Sequence, residues 1–364
     1  MSTQKIAVIA GDGIGKEVVP AAISCLERIA QIHTLELEFT YFDWGSEYYL
    51  QHGRMMPVDG LEQLAQHHAI FLGAVGSPEV SDTESLWGLL IPIRREFQQY
   101  INLRPVKTLD GVTSPLANKQ AIDLLIVREN NEGEYSEVGG RTYRGLSHES
   151  AVQETIFTRL GVSRVTRYAA ELAASRRGHL TSATKSNGIV HTMPFWDEIV
   201  EETARLFPEV SLTSELVDAL AAHLVLKPWT YDVIVASNLL GDILSDLGSS
   251  VTGSIGLAPS ANLNPEGEFP SLFEPVHGSA PDIAGMGLAN PVGQIWSGAM
   301  MLEHLGHPDA ASHLQSAFES ALRDGFGTRD VGGTSSTSDF TSAVLSAIDA
   351  LTPDAAIAAT SPAS

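Results

Sequence analysis

The chain has 364 residues, enough for two domains, and 43% of them are apolar, so a globular protein with a sizeable core is expected. Lys and Arg number 22 against 44 Asp and Glu, which gives a formal net charge of −22 at pH 7. This charge argues against nucleic acid and against an anionic membrane surface as partners. Because cations are scarce, any cluster of arginines is informative.

Cys25 is the only cysteine, so an intrachain disulfide and a multi-cysteine zinc site are both excluded. It lies in the apolar stripe of the first predicted helix, where core packing is expected. The N-terminus lacks the pattern of a secretory leader, and no apolar run reaches transmembrane length. We therefore predict a cytoplasmic location. Residues 351–364, rich in Ala, Ser and Pro, are predicted to form a disordered tail.

Short β-branched segments alternate with longer segments of helical period along the chain. After a strand at 5–10 and a helix at 16–32, further strands are predicted at 69–73, 124–127, 180–184 and 232–236. This alternation predicts an α/β fold with a mostly parallel sheet. Two Gly- and Pro-rich stretches, 253–270 and 274–287, are predicted to be long loops, and long loops in compact folds are often functional.

The sequence Gly11-Asp12-Gly13-Ile14-Gly15 follows the first predicted strand. A Rossmann fingerprint needs two residues before its third glycine, and here only Ile14 separates Gly13 from Gly15. No acidic residue closes a second strand at the expected distance. We therefore reject a Rossmann fold, and predict a tight strand-to-helix turn that depends on glycine.

Three arginines are candidates for binding a carboxylate or a phosphate. Arg94 and Arg104 flank a short helix predicted at 95–100, and Arg128 ends a predicted strand. Guanidinium groups bind such anions through two parallel hydrogen bonds. Each arginine taken alone is more often part of a surface ion pair.

Two further side chains are candidates for proton transfer. Tyr135 lies in a Gly-containing loop just after Arg128, where it is a candidate proton donor or an ordinary packing residue. Lys185 follows the strand 180–184, at the strand end where ligands gather in α/β sheets. It would act as a base if desolvation lowered its pKa, and is otherwise a surface lysine.

Asp242 and Asp246 are four residues apart on a predicted helix whose predicted N-cap is Asn238. This spacing places both carboxylates on one helix face, where a hard cation such as Mg²⁺ or Mn²⁺ would hold them. The alternative is a pair of solvated carboxylates favoured by the helix dipole. Asp218 opens another predicted helix and is either a third metal ligand or a cap.

The stretch from Phe273 to Gly285 carries few charges. Gly278 and Ser279 would allow backbone amides to approach a phosphate closely. Asp282 could accept hydrogen bonds from the two hydroxyls of an adenosine ribose, and would repel a 2′-phosphate. A lone histidine such as His277 is usually structural.

Taken together, these segments resemble the β-decarboxylating dehydrogenases of the isopropylmalate and isocitrate dehydrogenase family. The motifs that carry the resemblance run in the family's order: Gly11–Gly15, Arg94 with Asn102–Pro105, Val127–Asn130 with Tyr135, Lys185–Asn187, Val217–Ala219, Gly241–Asp246 and His277–Gly285. The resemblance implies an isopropylmalate-dehydrogenase-like two-domain α/β fold with a mostly parallel sheet core, not a Rossmann fold. It implies a cofactor-binding domain of residues 1–100 plus 253–350, and a dimerisation and substrate domain of residues 101–252.

The resemblance also implies roles for the candidate residues. The substrate, a small dicarboxylate 2-hydroxy acid, would be bound by Arg94, Arg104, Arg128, Trp87 and Leu90. Lys185 would act as the base and Tyr135 as the proton donor, and Mn²⁺ or Mg²⁺ would be bound by Asp218, Asp242 and Asp246. NAD would be bound by His277, Gly278, Ser279, Ala280, Asp282, Ile283, Asn290, Asn187 and Glu274.

The family is expected to form an obligate homodimer with shared active sites, in which Lys185 and Asp218 come from the neighbouring subunit. The Asp282-Ile283 pair looks like the NAD-preferring version, because NADP-dependent relatives carry Lys-Tyr at those positions. A monovalent cation such as K⁺ is a further candidate cofactor.

The loop from Ser85 to Arg94 separates the members of this family. Isocitrate enzymes hold their extra carboxylate with Ser and Asn on this segment, and Leu89–Ile93 contains neither. Trp87 stands where isopropylmalate enzymes usually have Glu, and Leu86-Trp87-Gly88 looks like the loop of D-malate and tartrate dehydrogenases. We therefore expect oxidative decarboxylation of D-malate to pyruvate and CO₂, with tartrate as a side substrate. The alternatives are a 3-isopropylmalate dehydrogenase of leucine synthesis and a non-catalytic regulatory subunit.

Overall fold

The structure is a computed structural model that describes residues 3–351 of the chain. The strands in this range are β1 (Gln4–Gly11), β2 (Leu37–Tyr41), β3 (Ala69–Ala74), β4 (Ile101–Lys107), β5 (Asp123–Glu129), β6 (Gly139–Thr142), β7 (Ser150–Gln153), β8 (His179–Thr184), β9 (Ser211–Leu216), β10 (Val233–Ala236), β11 (Pro259–Leu263) and β12 (Ser271–Pro275). The α-helices in it are α1 (Gly15–His33), α2 (Ser46–His52), α3 (Gly60–Leu64), α4 (Asp82–Ser85), α5 (Ile91–Glu96), α6 (Arg159–Ala174), α7 (Thr192–Ala204), α8 (Val217–Leu226), α9 (Asn238–Thr252), α10 (Val292–His304), α11 (Pro308–Arg323) and α12 (Thr337–Ala350). The tail predicted at 351–364 lies, apart from Leu351, outside the described residues.

The chain divides into two compact units. The described residues of unit 1 fall in Met1–Gln99, Thr108–Ala117 and Ser249–Ser364, and unit 2 consists of Tyr100–Lys107 and Asn118–Gly248. The sequence-based division placed all of 101–252 in one domain, whereas its residues 108–117 and 249–252 belong to unit 1.

The contacts of the segment Thr108–Ala117 explain its place in unit 1. Ser114 Oγ donates a hydrogen bond to the carbonyl oxygen of Val251 at 2.7 Å. Gly111 lies so close to α11 that a Cβ would stand 2.1 Å from the carbonyl oxygen of Leu322. The cofactor and substrate roles assigned to the two domains stay predictions.

The strands of unit 1 lie in the order β2-β1-β3-β12-β11. The pairs β1/β2, β1/β3 and β3/β12 are parallel, and β11 and β12 form an antiparallel pair. All six residues of β3 are buried, as expected for a strand covered on both faces. Cys25, on α1, is fully buried, which confirms its predicted place in the core.

The strands of unit 2 lie in the order β4-β5-β10-β8-β9, and β6 pairs with β7 in a separate two-stranded ribbon. The pair β4/β5 is antiparallel, and the pairs β5/β10, β10/β8 and β8/β9 are parallel. Trp196, on α7, is buried and donates its indole N–H to Ser182 Oγ at 3.1 Å. The mixed α/β architecture with mostly parallel strands confirms the fold class predicted from the sequence.

Two segments of unit 1 differ from their predictions. The helix predicted at 95–100 is wrong: α5 runs over Ile91–Glu96 and contains Arg94, while Gln98 adopts a φ of +46° and ends the helical path. The long loop predicted at 253–270 contains strand β11, and strand β12 spans the gap between the two predicted loops and the first two residues of 274–287. This hairpin was missed because its strands are only five residues long and include Pro, Ser and Asn.

In unit 2, Asn238 is the first residue of α9 rather than the cap before it. Its side-chain oxygen accepts hydrogen bonds from Arg128 Nε at 3.0 Å and Arg128 Nη2 at 2.6 Å. The predicted capping role is therefore wrong, because a charged guanidinium group competes for the oxygen that would otherwise bind the first turn.

Among residues 3–351, no helix is both long and apolar enough to cross a membrane.

Candidate active site

Unit 2 holds a cluster of charged side chains around Asp242. Arg104 Nη1 donates to Asp242 Oδ1 at 3.1 Å, and Arg128 Nη1 donates to the same oxygen. Tyr135 Oη donates to the other carboxylate oxygen at 3.2 Å. Arg104 also reaches Asp246, at 3.5 Å. Two of the three predicted substrate arginines, two predicted metal ligands and the predicted proton donor therefore lie together.

Strand register explains why the two arginines meet. Arg104 on β4 is opposite Ile126 on β5, and Arg128 lies two residues beyond Ile126. Because side chains two residues apart share a face of a strand, Arg104 and Arg128 project from the same face of the sheet. Ala236 of β10 pairs with Arg128, so α9 begins two residues beyond the level of that arginine. The first turns of α9 then bring Asp242 to both guanidinium groups.

The charged groups of the cluster differ in burial, and this affects the pKa values of Asp246 and Tyr135. Both arginines are nearly fully buried, whereas the side chain of Asp246 is about half exposed. Partial burial raises the pKa of Asp246, an effect that the neighbouring Arg104 opposes. Partial burial and the carboxylate of Asp242 raise the pKa of Tyr135, so its phenol keeps its proton at neutral pH.

Lys185 and Asp218 form a second charged site in unit 2. Lys185 directly follows β8 and Asp218 lies in the first turn of α8, which directly follows β9. Lys185 Nζ and Asp218 Oδ1 are 2.8 Å apart, and this ion pair lowers the pKa of Asp218. Over residues 3–351 there is no group of three or more His, Cys, Asp or Glu side chains placed to hold a metal ion. Within one chain, Asp218 therefore does not complete a three-ligand site with Asp242 and Asp246.

The third predicted substrate arginine, Arg94, belongs to unit 1. Its Nη2 atom donates to Glu274 Oε1 at 2.8 Å, and both side chains are buried. Asn262 Nδ2 donates to the same oxygen at 2.8 Å. Glu274, predicted to bind the cofactor, is thus neutralised by the arginine predicted to bind the substrate. Because the arginines fall in separate units, the convergence of all three stays a prediction.

Trp87 and Leu90 lie on a π-helical turn, Leu86–Leu90, that leads into α5. The guanidinium carbon of Arg95 lies over the indole ring of Trp87, at 4.9 Å from the ring centroid, in a cation–π contact. Leu90 packs against the buried core of unit 1. Gly88 lies against Met55, where a Cβ would stand 2.7 Å from the Met55 side chain. This contact fixes the turn that presents Trp87.

The glycine-dependent turn after β1 is confirmed, and it packs against the predicted cofactor loop. Gly13 has a φ of +52°, and a Cβ there would lie 2.0 Å from the carbonyl oxygen of Ser279. Ile14 N–H donates to that oxygen at 2.9 Å. Ile14 and Val18 also pack with a set of apolar residues from the loop: Ala280, Ile283, Ala284 and Ala289.

The loop itself contains polar groups suited to a ligand. His277 is buried, and its Nε2 atom has no hydrogen-bond partner in the described part of the chain. An orphaned ring nitrogen in this position fits a polar group of a bound cofactor. Asp282 is exposed, whereas Asn290 donates to Asp330 Oδ2 at 3.0 Å and accepts from Val292 N–H.

Gly278 has no atom within 4 Å of its Cβ position, which leaves room for close approach of a ligand. Asn187, the remaining predicted cofactor residue, is exposed and belongs to unit 2. These positions do not test whether the residues bind NAD, so the predicted NAD-binding residues stay a prediction.

Sequence reasoning missed several residues that shape the site. Asn238 bridges Arg128 and the carbonyl oxygen of Glu132. Glu129 is fully buried next to Arg128, and Asp12 accepts hydrogen bonds from Ser46 and from Gly76 N–H. Asp12 and Glu129 occur inside motifs that were noted, and Asn238 was predicted as a cap, but only their tertiary partners reveal what these residues bind.

Comparison with known sequences identifies the family of the protein. Residues 5–344 match the sequence profile described as isocitrate/isopropylmalate dehydrogenase, and the chain belongs to that family. This confirms the resemblance read from the motifs and places the protein among the decarboxylating dehydrogenases.

Two relatives and one solved structure are similar to the chain over nearly its whole length. The chain is 55% identical over 348 residues to the probable tartrate dehydrogenase/decarboxylase of Bacillus subtilis (strain 168), covering 95% of this chain and 98% of that one. It is 53% identical over 358 residues to the D-malate dehydrogenase (decarboxylating) of Escherichia coli (strain K12), covering 96% and 99%. Its fold is similar to the crystal structure of isocitrate dehydrogenase from Methylococcus capsulatus, with a TM-score of 0.86, 32% identity and coverage of 95% and 99%.

Proposed function

We propose that this protein catalyses the NAD-dependent oxidative decarboxylation of D-malate to pyruvate and CO₂, with tartrate as a second substrate. The observation that carries the proposal is the meeting of two buried arginines, a carboxylate and a protonated tyrosine at Asp242. The relatives named for tartrate and D-malate support this substrate class. Trp87 supports a substrate without an isopropyl group, because the family resemblance assigns this residue to the substrate site, where its indole would take the place of such a group.

The arginines would bind the substrate carboxylate. Arg104 and Arg128 are buried and both contact Asp242, so the fold orients them before a substrate binds. The substrate then does not lose binding free energy in ordering these side chains. A dicarboxylate would receive charge-assisted hydrogen bonds from them. Arg94 is the third arginine that the family resemblance assigns to this carboxylate.

Lys185 and Tyr135 would move the protons. Lys185, contributed by the neighbouring subunit, would accept the proton of the C2 hydroxyl directly or through water. Tyr135 would donate its proton to the carbon that loses CO₂. Its raised pKa keeps the phenol protonated at neutral pH, which is the form that can donate a proton.

The residues present fit the groups that this chemistry requires. Asp242 and Asp246, with Asp218 of a second copy, would hold Mn²⁺ or Mg²⁺, because hard carboxylate oxygens suit such ions. The orphaned His277 nitrogen and the open Gly278 would hold NAD on the loop that begins after β12. When bound, the cation supplies Lewis-acid polarisation of substrate oxygens, and NAD accepts the hydride.

We further propose that the enzyme is a cytoplasmic homodimer with shared active sites. Unit 2 exposes large apolar side chains on α8, on α9 and around the β6–β7 ribbon: Val225, Leu226, Ile243, Val138, Tyr143 and Val152. Large apolar side chains exposed on one unit would favour association by being covered in a dimer. The separation of Asp218 from Asp242 within one chain supports completion of the site by a second copy.

The test is NADH formation with NAD, Mn²⁺ and KCl, comparing D-malate, L-tartrate, 3-isopropylmalate and isocitrate. The highest kcat/KM with D-malate supports the proposal. The highest value with 3-isopropylmalate would overturn the Trp87 argument and point to an enzyme of leucine synthesis. No turnover with any acid would favour a regulatory subunit. Omitting Mn²⁺ or KCl in parallel tests the requirement for each cation.

A further inference from the structure

Glu134, the residue before Tyr135, is bonded to the N-terminal end of α9. Its Oε1 accepts a hydrogen bond from Ser237 Oγ at 2.8 Å, and its Oε2 accepts one from Leu239 N–H at 3.0 Å. A carboxylate is favoured at this position, because first-turn N–H groups lack intrahelical partners and the helix dipole is positive there. Glu134 therefore fills the capping place that Asn238 leaves open.

Tyr135 is joined to the same helix a little further along. Its Oη donates to Asp242 at 3.2 Å, and its ring lies 5.7 Å from the guanidinium carbon of Arg128. Leu239 and Asp242 are three residues apart on α9, so they occupy the same side of the helix. Consecutive residues, Glu134 and Tyr135, are thus attached to one side of α9 at two points. Two attachments fix the direction of the segment as well as its position.

The backbone of the same segment is held by a second set of contacts. Gln153 Nε2 donates to the carbonyl oxygen of Glu134 at 2.8 Å. Gly133 and Ile156 exchange backbone hydrogen bonds of 2.8 and 3.2 Å. Gly133 has a φ of +94°, and a Cβ there would lie 3.1 Å from the ring of Phe157. These contacts anchor the start of the segment, and the Glu134 and Tyr135 side chains tie its end to α9.

We propose that Glu134 is a positioning residue that holds the Tyr135 phenol at Asp242 for proton transfer. It acts through Tyr135 and does not contact the substrate. The catalytic part of this inference rests on the proposed function, whereas the placement of the phenol is measurable without turnover. Arg104 and Arg128 are held by the strands β4 and β5. Loss of Glu134 should therefore leave the two arginines in position to bind the substrate carboxylate.

The kinetic prediction concerns kcat rather than KM. Glu134→Ala loses both bonds to α9 and should lower kcat by about tenfold or more, with KM for D-malate changed by less than about twofold. Glu134→Gln keeps one acceptor oxygen and should give a smaller loss. Glu137→Ala removes a carboxylate from an exposed position of the same loop, and should leave kcat unchanged.

A double-mutant cycle separates positioning from general stability. If Glu134 acts through the phenol, Glu134→Ala should have no further effect on kcat in a Tyr135→Phe background. An equal loss in both backgrounds would overturn the proposal, because it would show an effect independent of Tyr135.

The second measurement does not depend on activity. In full-length protein labelled with 3-fluorotyrosine, comparison with Tyr135→Phe identifies the ¹⁹F resonance of Tyr135. Glu134→Ala, or Glu134→Gln if the alanine variant does not fold, should shift or broaden this resonance, and Glu137→Ala should not. An unchanged resonance would overturn the inference. A moved resonance in a protein without turnover on any acid would overturn the proposed function while supporting the role of Glu134.

Discussion

Asp282 and Ile283 are neighbours in the predicted cofactor loop, but they face different surroundings. Asp282 is exposed, whereas Ile283 packs with Ile14 and Val18. The double variant Asp282→Lys, Ile283→Tyr should shift preference from NAD towards NADP, because an ammonium group attracts the 2′-phosphate that a carboxylate repels. The ratio of kcat/KM for the two cofactors should change by about tenfold or more. Asp324→Lys makes the same charge change elsewhere in unit 1 and serves as the control; equal ratios in all three proteins would contradict the ribose assignment.

Glu129 shows how burial next to the site affects stability. It is fully buried, and burial raises its pKa from 4.5 to about 7. Backbone N–H groups of Glu132 and Asn131 donate to its carboxylate and oppose this shift without cancelling it. The folded state therefore binds the proton more tightly than the unfolded state. The contribution of Glu129 to stability is greatest below pH 4.5 and is lost as the pH rises through about 7.

Glu129→Gln removes this titration, so the free energies of unfolding of variant and wild type should depend differently on pH. Their difference should change by up to about 3 kcal/mol between about pH 4.5 and pH 8, in favour of the variant at the higher pH. Urea unfolding across this range measures it, with Glu171→Gln on the exposed side of α6 as control. A constant difference between Glu129→Gln and wild type would show that Glu129 does not titrate in this range.

At the scale of elements, the turn between β1 and α1 positions the loop after β12. Gly13→Ala should place a methyl group against the carbonyl oxygen of Ser279 and displace the loop. KM for NAD should rise by about tenfold or more, whereas KM for D-malate should stay nearly constant. Gly53→Ala is the matched control, because Gly53 has a φ of +70° and nothing lies within 4 Å of its Cβ position. Equal effects of both variants on KM for NAD would mean that backbone strain, rather than the contact with Ser279, is responsible.

The elements also show what the sequence could and could not predict. Strands such as β1 and β3 were predicted because their apolar runs reflect burial on both faces, which is a local property. Strand β11 was missed because its buried residues include Ser260 and Asn262, whose polar atoms are bonded by distant residues such as Glu274. A local pattern carries no information about such tertiary partners.

The same distinction applies to the candidate site. Asp242 and Asp246 were found because their spacing fixes a shared helix face. The pairing of Arg104 with Arg128 needed the register of β4 and β5, which no single segment contains. Likewise Asn238 was predicted as a cap because its local sequence does not show that Arg128 binds its side-chain oxygen. The pairing of β5 with β10 brings Arg128 to this position.

At the scale of the whole molecule, the predicted site residues of unit 2 fall into two groups. Asp242, Arg128 and Tyr135 are together, whereas Lys185 is paired with Asp218. This distribution supports the proposal that Lys185 and Asp218 serve the site of a second copy. An isologous dimer would then contain two equivalent sites, each built from both chains.

Mixed dimers test this arrangement directly. The variants Lys185→Ala and Tyr135→Phe should each form dimers with only a small residual activity, because every site in them lacks one proton-transfer group. After the two are mixed and allowed to exchange subunits, half of the dimers are hybrids, and one site in each hybrid has Tyr135 from one chain and Lys185 from the other. The mixture should therefore regain about a quarter of the wild-type activity. If both residues act in the same chain, no hybrid site is intact and the mixture stays at the residual activity of the two variants. Size-exclusion chromatography of differently tagged chains establishes that exchange took place.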